Sequence, residues 1–186
     1  MSEEPAAAVT APIARPREAN DLDASLEALI RAETRPAYRL AMSIVQDAAL
    51  AEDVVQESFV RAWLALPSWR GDAPMRHWLL RIVRNTAVST LRSSRDAQTD
   101  PEVLDRLPSS LDVAEHVEDL VTIDALWGAL GKLDDLSRAI VVLRELEGLR
   151  YEEMCAILDA PMPTVKTRLF RARRLIAAAL DETRAA

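Results

Sequence analysis

Several residue types that define common classes of protein are scarce in this sequence. The 186 residues include one cysteine, Cys155, four glycines and two histidines, His77 and His116. One cysteine cannot form an internal disulfide or a cysteine-based zinc site, and it fits a reducing compartment. The histidines have no cysteine or carboxylate partners at metal-ligand spacing, and no glycine-rich phosphate loop is present. These absences argue against an enzyme, so we expect no cofactor and no metal.

Long apolar runs and strand patterns are also missing. No stretch of about 18 apolar residues and no cleavable signal peptide is found, so we expect no membrane insertion and a cytoplasmic location. Alternating segments of valine, isoleucine and threonine, which are typical of strands, do not occur. Apolar residues recur instead at helical spacing, and this pattern predicts an all-α fold.

Charge is distributed unevenly along the chain. The formal net charge is −7, and residues 96–124 hold nine acidic side chains against one arginine. Residues 70–95 reverse this sign with six arginines and one aspartate, and residues 163–176 carry five cations and no anion. Two basic segments therefore flank an acidic connector, and the net charge is a poor guide to the partners of this protein.

The helical patterns divide the chain into two parts. We predict a disordered N-terminal tail over residues 1–20, a helical domain over 21–95, a flexible acidic linker over 96–116 and a second helical domain over 117–186. Asp21 is a candidate N-cap of the first helix, and Pro36 is expected to kink or split that helix. Trp63 is expected beside the buried stripe of the second helix.

The last helix has one apolar side and one basic side. Val165, Leu169 and Ala172 recur at helical spacing and predict the buried side. The outward side and its flanks hold Lys166, Thr167, Arg168, Phe170, Arg171, Arg173 and Arg174. An outward phenylalanine among arginines suits the DNA major groove, although an ordinary solvated basic helix is the alternative. A short helix and a turn at Asp159 precede this helix, which is the helix-turn-helix pattern.

A second basic stripe lies on the third helix. It comprises Arg81, Arg84, Asn85, Val88, Ser89 and Arg92, opposite the apolar side of that helix. Such a stripe can follow a phosphate backbone while Asn85 bonds a base. In the preceding loop, next to Arg70, the ring of Trp69 either packs in the core or borders a pocket for an unstacked base.

A third surface is acidic and polar. Asp53, Gln56 and Glu57 share one exposed side of the second helix. The pattern alone favours a solvated helix face.

Three segments, in order, carry a resemblance to a known family. They are "AEDVVQESFVRAW", "SWRGDAPMRHWLLRIVRNTAVSTLR" and "YEEMCAILDAPMPTVKTRLFRARRLI". From about Leu26 to Leu180 the chain resembles the extracytoplasmic-function (ECF) sigma factors of bacterial RNA polymerase, group 4 of the sigma-70 family. The ordered set is far more specific than any one segment.

The resemblance implies a role for each surface. The first domain would be sigma region 2, with Asp53, Gln56 and Glu57 on the clamp helices of the polymerase beta-prime subunit. The loop from Ser68 to Met75 would capture a flipped base of the minus-10 element. The residues implied at that element are Trp69, Arg70, Arg81, Arg84, Asn85, Ser89 and Arg92. The second domain would be region 4, which would contact the beta flap and read the minus-35 element through Lys166, Thr167, Arg168, Phe170, Arg171 and Arg174. The resemblance also implies an anti-sigma factor as a partner.

Two other functions compete with this one, and the second accounts for less of the sequence. A stand-alone regulator could bind a palindrome as a dimer through its helix-turn-helix, without polymerase. A protein-interaction adaptor would not need Phe170 exposed among arginines.

Overall fold

The structure is a computed structural model that describes residues 19–97 and 128–185, with side chains from 21 to 94 and from 128 to 181. Every regular element in these two stretches is helical, which confirms the all-α prediction. Most of the predicted tail and linker lies outside the described residues. Residues 19–20 and 96–97, at the edges of those predicted segments, are helical. The predicted domain boundaries stay predictions.

Seven helices follow one another in the described residues. The first half contains α1 (Ala19–Val45), α2 (Ala48–Ala65), a 3-10 turn (Leu66–Ser68) and α3 (Met75–Ala97). In the second half, a helix that is described from residue 128 ends at residue 131, and we call it α4. It is followed by α5 (Asp135–Val141), which continues as a π-helical segment (Val142–Leu146), and by α6 (Tyr151–Leu158) and α7 (Met162–Ala185).

Helix α1 differs from its prediction at two places. It begins at Ala19, so Asp21 lies in its first turn and not at the N-cap. It also runs through Pro36 without being split. Proline removes one backbone donor from a helix, but Ala37, Leu40 and Ala41 are fully buried directly after it. Their packing holds the helix together across the lost hydrogen bond.

Short polar contacts fix where three other helices begin or end. The Asp47 carboxylate accepts from the Leu50 backbone N–H at 2.9 Å and caps α2, and Asp134 caps α5 through the Ser137 backbone N–H at 3.0 Å. Asp159 ends α6 in the left-handed conformation with φ of 50°, as its place in the turn predicted. This turn leads directly into α7 and completes the helix-turn-helix.

Helix α2 shows a second difference from the sequence prediction. Val54, Ser58 and Ala62 form its buried stripe, as expected. Trp63, however, is 46% exposed and is not a core residue. It lies one position beyond Ala62, about 100° around the helix from the stripe, and it is more exposed than Val55 and Phe59 on the same side.

The two halves of the chain pack against each other through a common core. A smaller cluster within the first half contains Leu26, Met75 and Leu79. The main cluster is continuous from α1 and α3 into the second half, where Ile140 and Ile157 are fully buried. Helix α3 packs on α6, and α1 packs on α5. The sequence predicted two domains joined by a linker without an arrangement for them, and the structure brings them into direct contact.

Truncation of a leucine in this common core should destabilise the protein. We expect Leu158→Ala to lower the free energy of unfolding by about 2–5 kcal/mol, because Leu158 is 1% exposed. Leu146 in the same half is 52% exposed, so Leu146→Ala is the matched control and should change it by less than about 0.5 kcal/mol. Urea unfolding of both variants measures the difference. Equal losses would contradict the assignment of Leu158 to the core.

Candidate nucleic-acid interface

The exposed side of α7 presents an aromatic ring together with cations. Phe170 is 62% exposed, and the Arg174 guanidinium lies 5.8 Å from the centre of its ring. Lys166, Thr167 and Arg171 are exposed on the same helix. Val165, Leu169 and Ala172 are buried on the other side, as predicted. The helix thus offers solvent a surface that combines positive charge with one large apolar group.

Four of the five cations between residues 163 and 176 have partners within the protein, including Arg174 on the Phe170 ring. The Arg168 Nη1 donates to the Asp134 carboxylate at 2.5 Å, and Arg173 Nε donates to Glu145 at 2.9 Å. Lys166 Nζ lies 5.6 Å from the centre of the Tyr151 ring. Among the described residues, Arg171 has no such partner, so its guanidinium is available to a ligand without breaking a contact.

Asp134 connects the start of α5 to α7. Burial raises the pKa of its carboxyl, but hydrogen bonds from the Ser137 backbone and hydroxyl, together with the Arg168 charge, lower that pKa below its usual value. The carboxylate therefore stays ionised at neutral pH and holds Arg168 against α5. Arg168 was predicted among the base-reading residues, and that role would require this guanidinium nitrogen to leave Asp134.

The basic stripe of α3 faces solvent as its spacing predicted. Arg81, Asn85, Ser89 and Arg92 are exposed, and Arg84 is half-buried. The Arg84 Nη1 donates to the Asn85 side-chain oxygen at 2.9 Å. This contact fixes the amide of Asn85 beside a guanidinium, so the stripe pairs a base-bonding group with positive charge.

A cleft of about 430 Å³ opens at the start of α3. Its lining consists of Ser68, Trp69, Arg70, Asp72, Ala73, His77, Trp78, Arg81 and Ala156. The volume lies within the range of ligand pockets. Trp69 both packs against the smaller core cluster and borders the cleft, which joins the two roles considered for it. Its Nε1 is covered and has no hydrogen-bond partner among the described residues.

Helix α2 exposes the three predicted polar residues and two apolar residues on the same side. Asp53, Gln56 and Glu57 face solvent, and Glu57 accepts from Arg61 at 2.6 Å. Val60 and Leu64 are also exposed. They lie seven residues after Asp53 and Glu57, which is two helical turns, and thus extend the same side. Sequence reasoning missed these two residues, although a helical wheel drawn from Asp53 would have placed them there.

His77 of α3 meets the first helix of the helix-turn-helix. Its Nε2 lies 3.5 Å from the Glu153 carboxylate, which also accepts the Arg150 backbone N–H at 2.7 Å and so caps α6. Burial lowers the pKa of His77, and the charges of Arg76 and Arg150 lower it further against the opposing effect of Glu153 and Glu33. The imidazole is therefore mainly neutral at neutral pH.

Comparison with known proteins identifies the family. Sigma-70 region 2 matches residues 29–97, and Sigma-70 region 4 matches residues 123–176. The ECF RNA polymerase sigma-E factor of Haemophilus influenzae is 34% identical over 67% of this chain and 71% of its own length. That of Escherichia coli K12 is 39% identical over 67% and 70%. The chain belongs to the ECF sigma factors of the sigma-70 family.

Solved structures agree with this membership. The sigma factor RpoE of Bartonella quintana, in complex with the anti-sigma factor NepR, is 24% identical with a TM-score of 0.72, covering 87% of this chain and 98% of its own. CnrH, in complex with the cytosolic domain of CnrY, is 27% identical with a TM-score of 0.61 over 86% and 90%. The sigma factor described here shares the fold of both.

Membership also decides between the functions that the sequence left open. As a sigma factor, the chain binds core RNA polymerase and directs transcription initiation at promoters, and it is not an enzyme. The stand-alone regulator would need one domain to act as a sensing or dimerisation module. Both described halves match sigma regions instead. Within the described stretches, no helix is long and apolar enough to cross a membrane.

The lowered pKa of His77 makes the stability of the sigma factor depend on pH. A proton binds the unfolded chain more readily than the folded one, so the free energy of unfolding should fall as pH drops below about 6.5. His77→Gln removes this contribution. Chemical denaturation at about pH 7 and about pH 5.5 should therefore show a larger loss in wild type than in the variant. Equal losses would show that His77 does not titrate differently on folding.

Proposed function

We propose that this sigma factor recognises its promoters through α7 and α3 while α2 holds the polymerase. The observation that carries the proposal is the exposed pair of Phe170 and Arg171 on the second helix of a helix-turn-helix, where Arg171 has no partner in the described part of the chain. A solvated helix face gains nothing from an exposed aromatic ring, whereas a major-groove surface uses both groups.

At the minus-35 element, α7 would lie in the major groove. Arg171 can bond guanine with two nitrogens, and the Phe170 ring can contact a thymine methyl. Lys166, Thr167 and Arg174 flank this pair and would contact phosphates or neighbouring bases. Arg168 would act mainly by fixing the position of α7 through Asp134, and it would read DNA only after that ion pair opens.

At the minus-10 element, the cleft at Trp69 would hold one unpaired base. The aromatic walls formed by Trp69 and Trp78 suit a nucleobase, and Arg70 and Arg81 at the rim suit its phosphates. Asn85, Ser89, Arg84 and Arg92 continue this contact along α3. Capture of the base would offset the few kcal/mol that unstacking and unpairing cost, so binding energy drives melting without any chemical step.

Helix α2 would dock on the clamp helices of the beta-prime subunit. Its exposed side combines the polar trio of Asp53, Gln56 and Glu57 with the apolar Val60 and Leu64. An apolar patch beside polar groups is the composition of a protein interface. Region 4 would contact the beta flap, as the family membership implies.

An anti-sigma factor is a further proposed partner. CnrH, which is 27% identical to this chain, was solved with the cytosolic domain of CnrY. A comparable partner would explain how a promoter-binding protein is kept inactive. We expect the active sigma factor on the nucleoid in the cytoplasm, and the inactive one near the membrane if its partner is anchored there.

Loss of the Arg171 side chain should weaken minus-35 recognition at specific base pairs. We expect Arg171→Ala to reduce binding by about 1–3 kcal/mol on promoters with the preferred base and to have little effect on others. Transcription by the reconstituted holoenzyme on a promoter library measures this selectivity. The control is Arg31→Ala, which removes an exposed arginine of α1 that pairs with Glu27. Equal loss on every promoter would contradict base reading by Arg171.

Neutralisation of the α2 surface should weaken polymerase binding. Glu57→Gln is expected to raise the dissociation constant for core polymerase about tenfold, because charge pairs at interfaces are worth about 1.5 kcal/mol or more. Glu52→Gln is the matched control, since Glu52 is exposed on the same helix but turned away from Glu57. Fluorescence titration of labelled protein with core polymerase measures both. If the two variants bind alike, α2 docks through another side.

A further inference from the structure

Region 2 and region 4 are joined by a partly buried ion-pair cluster as well as by the common core. Glu147, just after the π-helical segment, is the region 4 member, and its side chain is only 5% exposed. Its carboxylate accepts from Arg39 of α1 at 3.1 Å and from Arg76 of α3 at 3.3 Å. Arg76 also donates to Glu33 of α1 at 2.8 Å. One carboxylate thus ties region 4 to two helices of region 2.

The buried position of Glu147 makes these contacts decisive for the domain arrangement. A carboxylate that is removed from water needs its cationic partners, and separation from them within the protein would leave it unsatisfied. Charge-assisted hydrogen bonds of this kind are stronger than neutral ones and depend on direction. The cluster therefore favours one relative placement of the two regions over other packed arrangements.

A second polar contact reaches across at the other end of the interface. Arg138 of α5 is buried, and its Nε donates to the backbone carbonyl of Ser43 at 2.7 Å. Ser43 lies in the last turn of α1, where carbonyls lack helical partners. Region 4 thereby caps a helix of region 2, and the contact is lost if the regions separate.

The packed arrangement is too small to bind both promoter elements. A compact body of the 137 described residues has a radius of gyration of roughly 14 Å and a diameter of about 37 Å. Elements centred near minus 10 and minus 35 are about 25 base pairs apart, which is about 85 Å of straight duplex. A chain of 30 residues, the length between the two described stretches, reaches at most about 100 Å. Separated regions could therefore span the promoter, whereas the packed ones cannot.

The packed arrangement also affects the proposed minus-10 cleft. Ala156 of α6 forms part of its wall, although every other lining residue belongs to region 2. His77, on the same wall, faces Glu153 of α6. The first helix of the helix-turn-helix therefore borders the space in which a flipped base would have to be received.

We propose that this sigma factor inhibits itself: the packing of region 4 on region 2 is a closed state of the free chain, latched by Glu147 against Arg39 and Arg76. The inference rests on the proposed function, because opening matters only if both regions contact one promoter. Polymerase and promoter would select the open state by binding it more tightly. The closed population reduces the apparent affinity for polymerase by the fraction of chains that are open.

Neutralising the latch should open the chain and speed its association with polymerase. Glu147→Gln keeps the shape of the side chain but removes its charge. We expect a larger radius of gyration by small-angle X-ray scattering, and at least about a fivefold faster association with purified Escherichia coli core polymerase. Glu27→Gln is the matched control, because Glu27 forms an exposed ion pair with Arg31 of the same helix and is not part of the latch. Circular dichroism and thermal unfolding establish that both variants are folded.

The outcomes separate the latch from the proposed function. A compact wild type, an expanded Glu147→Gln variant and an unchanged Glu27→Gln variant support self-inhibition. An extended wild type overturns it, and so does a folded Glu147→Gln variant that is as compact as wild type and associates no faster. Transcription by wild-type holoenzyme on a selected promoter is measured in parallel. If that transcription occurs while the latch variant behaves as wild type, the proposed function stands and the self-inhibition fails.

Discussion

The apolar core that α1 and α3 share with the second half of the chain determines where every functional surface lies. Because the inner side of α3 is buried there, its basic stripe must face outward, and because α6 packs on α3, the cleft at Trp69 lies beside the helix-turn-helix. The same core buries Val165 and Leu169, which turns Phe170 and Arg171 toward solvent. Burial of one side of each helix thus places the DNA-binding groups on the other.

Helical periodicity was sufficient to predict the helices, the buried side of α7 and the exposure of Phe170, because these depend on spacing within one helix. It was not sufficient for Trp63, which is exposed although it lies beside the buried stripe, because packing with neighbouring helices decides how far a residue at the edge of that stripe is covered. Val60 and Leu64 share the side of Asp53 and Glu57 by spacing alone, but their apolar character suggests burial. The Arg39–Glu147 ion pair joins residues 108 positions apart and has no local signature. The uninterrupted path of α1 through Pro36 likewise depends on tertiary packing and not on local preference.

Basic side chains in this protein serve two different physical purposes. Arg76, Arg138 and Arg168 bind carboxylates or backbone carbonyls and thereby hold helices in place. Arg81, Arg92 and Arg171 are exposed and carry the positive charge that a phosphate backbone attracts. A count of cations along the sequence does not distinguish the arginines that hold helices from those that face solvent. The acidic overall composition is compatible with DNA binding because α3 and α7 each present exposed cations on one side.

Asp134 caps α5 and simultaneously holds Arg168 of α7. A change at position 168 that suited a different DNA sequence would leave this carboxylate without its cation and remove one contact between α5 and α7. Arg171 has no such contact with another described residue. Over evolutionary time, new promoter preferences should therefore arise more readily through residue 171 than through residue 168. Only a change at residue 168 removes a contact that contributes to folding stability.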